Sequence, residues 1–132
     1  MGQIAETIQR ELLSWVGVTA EPHRFGGVEF RVHHREIGHL HGDRLADLPF
    51  PKRVRDDLVA TKRAVPHHVL PDSGWVSYYI RDAEDVSEVL ALFRLNYERL
   101  VAIGGARSGV ARGNEAEPPR DAVDDDPPPR GP

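Results

Sequence analysis

Val28–Leu48, VEFRVHHREIGHLHGDRLADL, is the stretch on which the fold turns. Val28, Phe30 and Val32 alternate with Glu29 and Arg31, the period of two expected of a strand with one buried face. His33-His34-Arg35-Glu36 is polar enough for a turn, and Ile37 to His41 would return antiparallel, with Gly38 permitting a close backbone approach or a bulge. Gly42-Asp43 is a turn dipeptide, after which Leu45 to Leu48 forms a short third strand stopped by Pro49-Phe50-Pro51. The stretch predicts a three-stranded antiparallel meander.

Upstream, Ile4, Ile8, Leu12 and Trp15 fall at steps of four, four and three, the apolar stripe of an amphipathic helix over residues 3–16. Gly17 would be its left-handed cap, and Thr19 to Gly27 reads as a connection because of Pro22 and the pair Gly26-Gly27. Downstream, Pro51 opens a short helix that places Val54, Leu58 and Val59 on one side and ends near Lys62. Ala64 to Gly74, with Pro66 and Pro71, reads as a loop, and Trp75 to Ile80 as a central strand. Asp82 is a natural N-cap for a last helix, whose stripe is Val86, Val89, Leu90, Phe93, Tyr97 and Leu100.

The expected architecture is therefore α+β: an N-terminal helix, the meander, a short helix, a further strand and a C-terminal helix packed on the sheet. Residues 1–103 make one domain, closed by Gly104-Gly105. Residues 104–132 contain Pro118-Pro119, Asp124-Asp125-Asp126 and Pro127-Pro128-Pro129 with few apolar residues, the composition of a disordered acidic and proline-rich tail.

At 132 residues the chain has room for one core, and its net charge of −4 lacks the basic excess of a dedicated nucleic-acid binder. There are 13 basic against 15 acidic residues in 1–105, and 4 against 6 in 106–132, so neither part is strongly charged. With no cysteine, disulfides and thiolate chemistry are excluded. The first apolar stretch carries Glu6 and Glu11 and lacks a basic flank, so a cytoplasmic protein with no membrane partner is expected.

Seven histidines are the chemical signal. His39 and His41 alternate along a strand and so share a face, the simplest way for a strand to offer two imidazoles to one ion. Asp43, or His67 and His68 from the later loop, could complete such a shell; His39, His41 and His67 are the metal candidates. Without a metal, His39, His41, Asp43, Arg44, His67, His68, Ser73 and Trp75 would surround a small polar or anionic ligand. The plain alternative is that His67 and His68 brace their loop against the sheet. Lys52, Arg53 and Arg55 make the second helix locally basic, and Trp75, Tyr78 and Tyr79 could stack on bases, although Asp56 and Asp57 dilute the patch. No nucleophile elbow and no dinucleotide-type glycine loop is present, so no particular cofactor is indicated and flavin or nicotinamide finds no support.

The segments Gly38-His39-Leu40-His41-Gly42-Asp43, Leu48-Pro49-Phe50-Pro51 and Pro66-His67-His68-Val69-Leu70-Pro71-Asp72-Ser73-Gly74-Trp75-Val76-Ser77-Tyr78-Tyr79-Ile80, in this order, resemble those of small bacterial luciferase domain-containing proteins. The likeness continues through Asp85-Val86 and Leu92-Phe93-Arg94-Leu95-Asn96-Tyr97 and covers roughly residues 23–100. No catalytic residue is transferred with it. The order of elements is also similar to that of MmcQ/YjbR-like domains, and this likeness implies nucleic acid as a binding partner to test. Taken together, these readings expect a small ligand-binding or interaction module, with a nucleic-acid-binding domain and a metal-dependent enzyme using the histidines as the alternatives.

Overall fold

The computed structural model describes residues 2–23 and 26–110, with side chains as far as Gly104. The elements are α1 (Gln3–Leu13), β1 (Thr19–Pro22), β2 (Val28–Val32), β3 (Arg35–His41), β4 (Leu45–Pro49), α2 (Lys52–Ala60), β5 (Val65–Pro66), β6 (Trp75–Tyr79) and α3 (Val86–Val110), the last preceded by a 3-10 turn over Ala83–Asp85. All strands pair antiparallel in one six-stranded sheet of order β1-β2-β3-β4-β6-β5. The expected α+β architecture is the observed one.

The meander β2-β3-β4 forms as its alternation requires, with one shift. The β2–β3 turn is only His33-His34, both left-handed at φ 53° and 65°, so β3 begins at Arg35. Left-handed geometry at two central residues lets the turn follow the natural strand twist. Two strands were hidden in segments expected to be connections. Thr19–Pro22 and Val65–Pro66 lie at the two edges of the sheet, where a proline is tolerated because an edge strand needs no second ladder. β6 is interior, between β4 and β5, as its aromatic and β-branched content implies.

α1 and α3 pack together against one face of the sheet. Ile8, Leu12, Val89, Phe93, Tyr97 and Leu100 are buried there with Phe30, Leu40, Leu48 and Val76. Phe30 and Phe93 meet edge to face, with ring centroids 5.8 Å apart. Gly38 admits this contact, since a Cβ at that position would come within 2.9 Å of Phe93 Cε1 and Leu48 Cγ. Two polar clamps fix α3. Asn96 Nδ2 donates to the carbonyls of Ile37 at 2.8 Å and Pro49 at 2.9 Å, and Tyr97 Oη donates to the Val16 carbonyl at 2.8 Å.

α1 ends at Leu13 rather than residue 16, because Ser14 Oγ bonds back to the Glu11 carbonyl and the amides of Ser14 and Trp15 turn to i−3 acceptors. Asp82 caps the turn before α3 by accepting from the Glu84 amide at 3.0 Å. α3 runs on through Gly104-Gly105 to Val110, past the expected domain end. Gly104 faces the His33 ring, which a Cβ would meet at 2.7 Å. Most of the expected tail, residues 111–132, lies outside the described residues. Among the described residues, no helix is long and apolar enough to cross a membrane.

Candidate metal centre

In a sheet, residues opposite one another across antiparallel ladders point to the same face. Glu29 stands opposite His39, His39 opposite Asp47, and Asp47 opposite Ser77. A polar row thus crosses four strands on the face away from α3. Asp47 is its centre: its side chain is 1 % exposed, and Ser77 Oγ donates to its Oδ1 at 2.6 Å.

Four imidazoles converge on the other oxygen of that carboxylate. His39 Nε2 and His41 Nε2 each lie 3.3 Å from Asp47 Oδ2, His68 Nε2 lies at 3.5 Å and His67 Nε2 at 3.6 Å. One carboxylate oxygen has about two acceptor positions, and charge-assisted N–H···O bonds are typically about 2.7–2.9 Å long. Four longer approaches to one oxygen are not an ordinary hydrogen-bond set. They form two triads that share Asp47: His39, His41 and Asp47 on one side, and Asp47, His67 and His68 on the other, with the candidate ligand atoms of each triad within 4.8 Å of one another.

The two triads are held differently. His39 Nδ1 is 2.6 Å from Glu36 Oε2, which steadies the ring and directs Nε2 toward Asp47. His67 Nδ1 instead accepts from the amides of Val69 at 3.0 Å and Leu70 at 3.1 Å. Aromatic walls enclose the cluster. The His23 ring stacks on His39 at 4.1 Å and meets His41 edge-on at 5.8 Å, Trp75 lies 5.5 Å from His39 and 5.8 Å from His67, and His67 stacks on His68 at 4.3 Å. Gly27 brings the chain before β2 against β3, since a Cβ there would lie 2.2 Å from the Leu40 carbonyl oxygen and 3.3 Å from His41 Nδ1.

Electrostatics follow from this burial. Burial penalises the His39 imidazolium, but its hydrogen bonds to Asp47 and Glu36 outweigh that penalty and raise its pKa to about 9. Burial likewise opposes ionisation of Asp47, and hydrogen bonds from His39, His41 and His67 overcome it, holding the carboxyl well below the usual carboxylate range. Glu29 is pushed up, first by burial and then by Glu36.

The structure gathers His39, His41, His67, His68 and Trp75 of the expected site. Asp43 goes elsewhere: its Oδ1 accepts from the Ala5 amide at 2.7 Å, capping α1 from 38 residues away, and its carboxylate fills the space beside Gly2. Arg44 is exposed, and its carbonyl accepts from the Ile80 amide. Ser73 braces the loop, donating to the Leu70 carbonyl and accepting from the Trp75 amide. On α2, Lys52 and Arg53 are exposed, whereas Arg55 is engaged by Asp56 and by the Pro71 carbonyl. Sequence reasoning missed Asp47, Glu36 and His23. The available signal was Asp47 itself, a carboxylate inside an otherwise apolar strand.

Compared with curated proteins and with solved structures, the chain finds no match. Residues 34–96, from the turn before β3 to the middle of α3, match the family model described as Luciferase domain.

Proposed function

We propose that the domain binds one divalent transition-metal ion through His39, His41 and Asp47 and acts on a small ligand at the remaining coordination positions, as a metal-dependent enzyme of the oxygenase type. The observation that carries this reading is the pair of 3.3 Å separations from Asp47 Oδ2 to His39 Nε2 and His41 Nε2. Ligands about 2.1 Å from a common centre are about 3.0 Å apart in octahedral and about 3.4 Å apart in tetrahedral arrangement, so these separations are those of a coordination edge.

Two imidazoles and one carboxylate on one face are the ligand set of non-haem iron oxygenases, in which the ion supplies oxygen activation and keeps positions open for substrate. The name of the matching family points to oxidation as well. The chain's own residues do the rest. Glu36 orients the His39 ring, Ser77 fixes the Asp47 carboxylate, and His23 and Trp75 pack against the His39 ring. Both imidazoles must be unprotonated at Nε2 to ligate, so affinity falls as pH falls.

The test is elemental analysis by mass spectrometry of protein expressed in iron- and zinc-supplemented medium, with anaerobic Fe(II) titration of the metal-free form. About one ion per chain is expected, and its loss in the His39→Ala, His41→Ala double variant. A wild-type protein that takes up no ion under either condition overturns the proposal.

A further inference from the structure

The two triads around Asp47 differ in how their histidine rings are anchored, and the difference lies in the loop after β5. His67 is 6 % exposed, and its Nδ1 lone pair is taken by the amides of Val69 and Leu70. A neutral imidazole carries one proton, and a nitrogen that accepts does not hold it. The proton therefore sits on Nε2, the atom facing Asp47 Oδ2 at 3.6 Å. A ligating histidine has the opposite arrangement, with the distal nitrogen donating and the near one bare, as the Glu36 contact provides for His39.

We infer that His67 is not a metal ligand but a positioning residue, whose Nε2–H faces the Asp47 carboxylate from 3.6 Å and favours its orientation toward His39 and His41. Its loop anchor sets that role, because turning the ring to free Nε2 would leave two loop amides without their acceptor. This assignment rests on the metal reading above for its consequence, and on the loop geometry alone for its tautomer.

The variant that separates the roles is His67→Asn. The Asn Oδ1 accepts from amides two and three residues on, as in an Asx turn, and so preserves the loop while removing the Nε2–H. Full-length protein is studied by long-range proton–nitrogen correlation NMR with and without Zn(II), and zinc binding is measured by competition with a chelator. The expected spectrum for His67 has a protonated Nε2 and a bare, hydrogen-bonded Nδ1 in both states. His67→Asn should still take up one zinc, with affinity reduced by about 10–100-fold.

A protonated Nδ1 with zinc on Nε2, or loss of zinc from His67→Asn equal to that from His39→Ala, overturns the assignment. If the wild-type protein binds no metal, the proposed function falls, and a protonated Nε2 still upholds the His67 Nε2–H that faces Asp47.

Discussion

Across the ladder between β3 and β4, His39 stands opposite Asp47, with its Nε2 3.3 Å from Asp47 Oδ2 and its Nδ1 2.6 Å from Glu36 Oε2. Their side chains are 8 % and 1 % exposed, so both groups rely on protein partners in place of water. Removing Asp47 takes from the buried His39 imidazolium one of its two carboxylate partners, at a cost of about 1–3 kcal/mol. In metal-free protein, Asp47→Ala is therefore expected to lose about that much stability in urea denaturation. His39→Ala, Asp47→Ala together should cost about 1–3 kcal/mol less than the sum of the single variants. Additive costs would show that the pair does not interact.

Asp43 supplies the cap that α1 lacks, because Gly2 at the helix start has no side chain to offer. Asp43→Ala should lower stability by about 1 kcal/mol. Zinc stoichiometry and affinity should stay unchanged, since this carboxylate faces the helix and not the histidines. A loss of zinc in this variant would return Asp43 to the site.

The turn between β2 and β3 places non-glycine residues in left-handed geometry, and His34, at φ 65°, is exposed. For residues with a Cβ that conformation costs about 1–2 kcal/mol. His34→Gly removes the penalty, partly offset by a more flexible unfolded chain, and should stabilise the protein by about 0.5–1 kcal/mol. That corresponds to a rise in Tm of about 2–8 °C for a domain of this size. A fall in Tm would mean that the His34 side chain makes a contribution larger than the strain.

Asp85 links β6 to the start of α3. It accepts from the Arg81 amide at 2.8 Å and from Tyr78 Oη at 2.9 Å, and these bonds, the amide first, hold its carboxyl below the ordinary value. A depressed carboxyl stabilises the fold above the pH at which the unfolded chain ionises, near 4, and that contribution is lost as pH falls further. Tyr78 is affected in the opposite sense. Burial first, and then the bond to Asp85, push the phenol up to about 12, a contribution present below pH 10 and lost as pH rises toward 12. Tyr78→Phe should therefore show a shallower loss of stability below pH 4 than the wild type, measured by thermal melts across pH 2–6. Parallel profiles would rule out the Tyr78 bond as a source of acid sensitivity.

Much of the architecture is local and was legible in the residues. The period-two alternation from Val28, the stripes on α1 and α3, and the Asp82 cap each express a preference that a short segment carries by itself. The alternation also puts His39 and His41 on one face, because a pleated strand leaves no other choice. The edge strands were obscured for a related reason: Pro22 and Pro66 read as breakers, and only an edge position makes a proline compatible with a sheet.

The tertiary structure decided which carboxylate joins the histidines. Asp43 adjoins His41 in sequence yet turns to the first helix, while Asp47, inside an apolar strand, is brought opposite His39 by the register of β3 on β4. Register and loop anchoring also decide that His67 meets the same oxygen from 20 residues further on, with its proton held on the inner nitrogen. The sequence alone determined the helices, the meander, the aromatic strand and the shared face of two imidazoles, because those depend on neighbours along the chain. The rest of the site depends on which strands pair and in what register, a choice made by the burial of the whole sheet against α1 and α3.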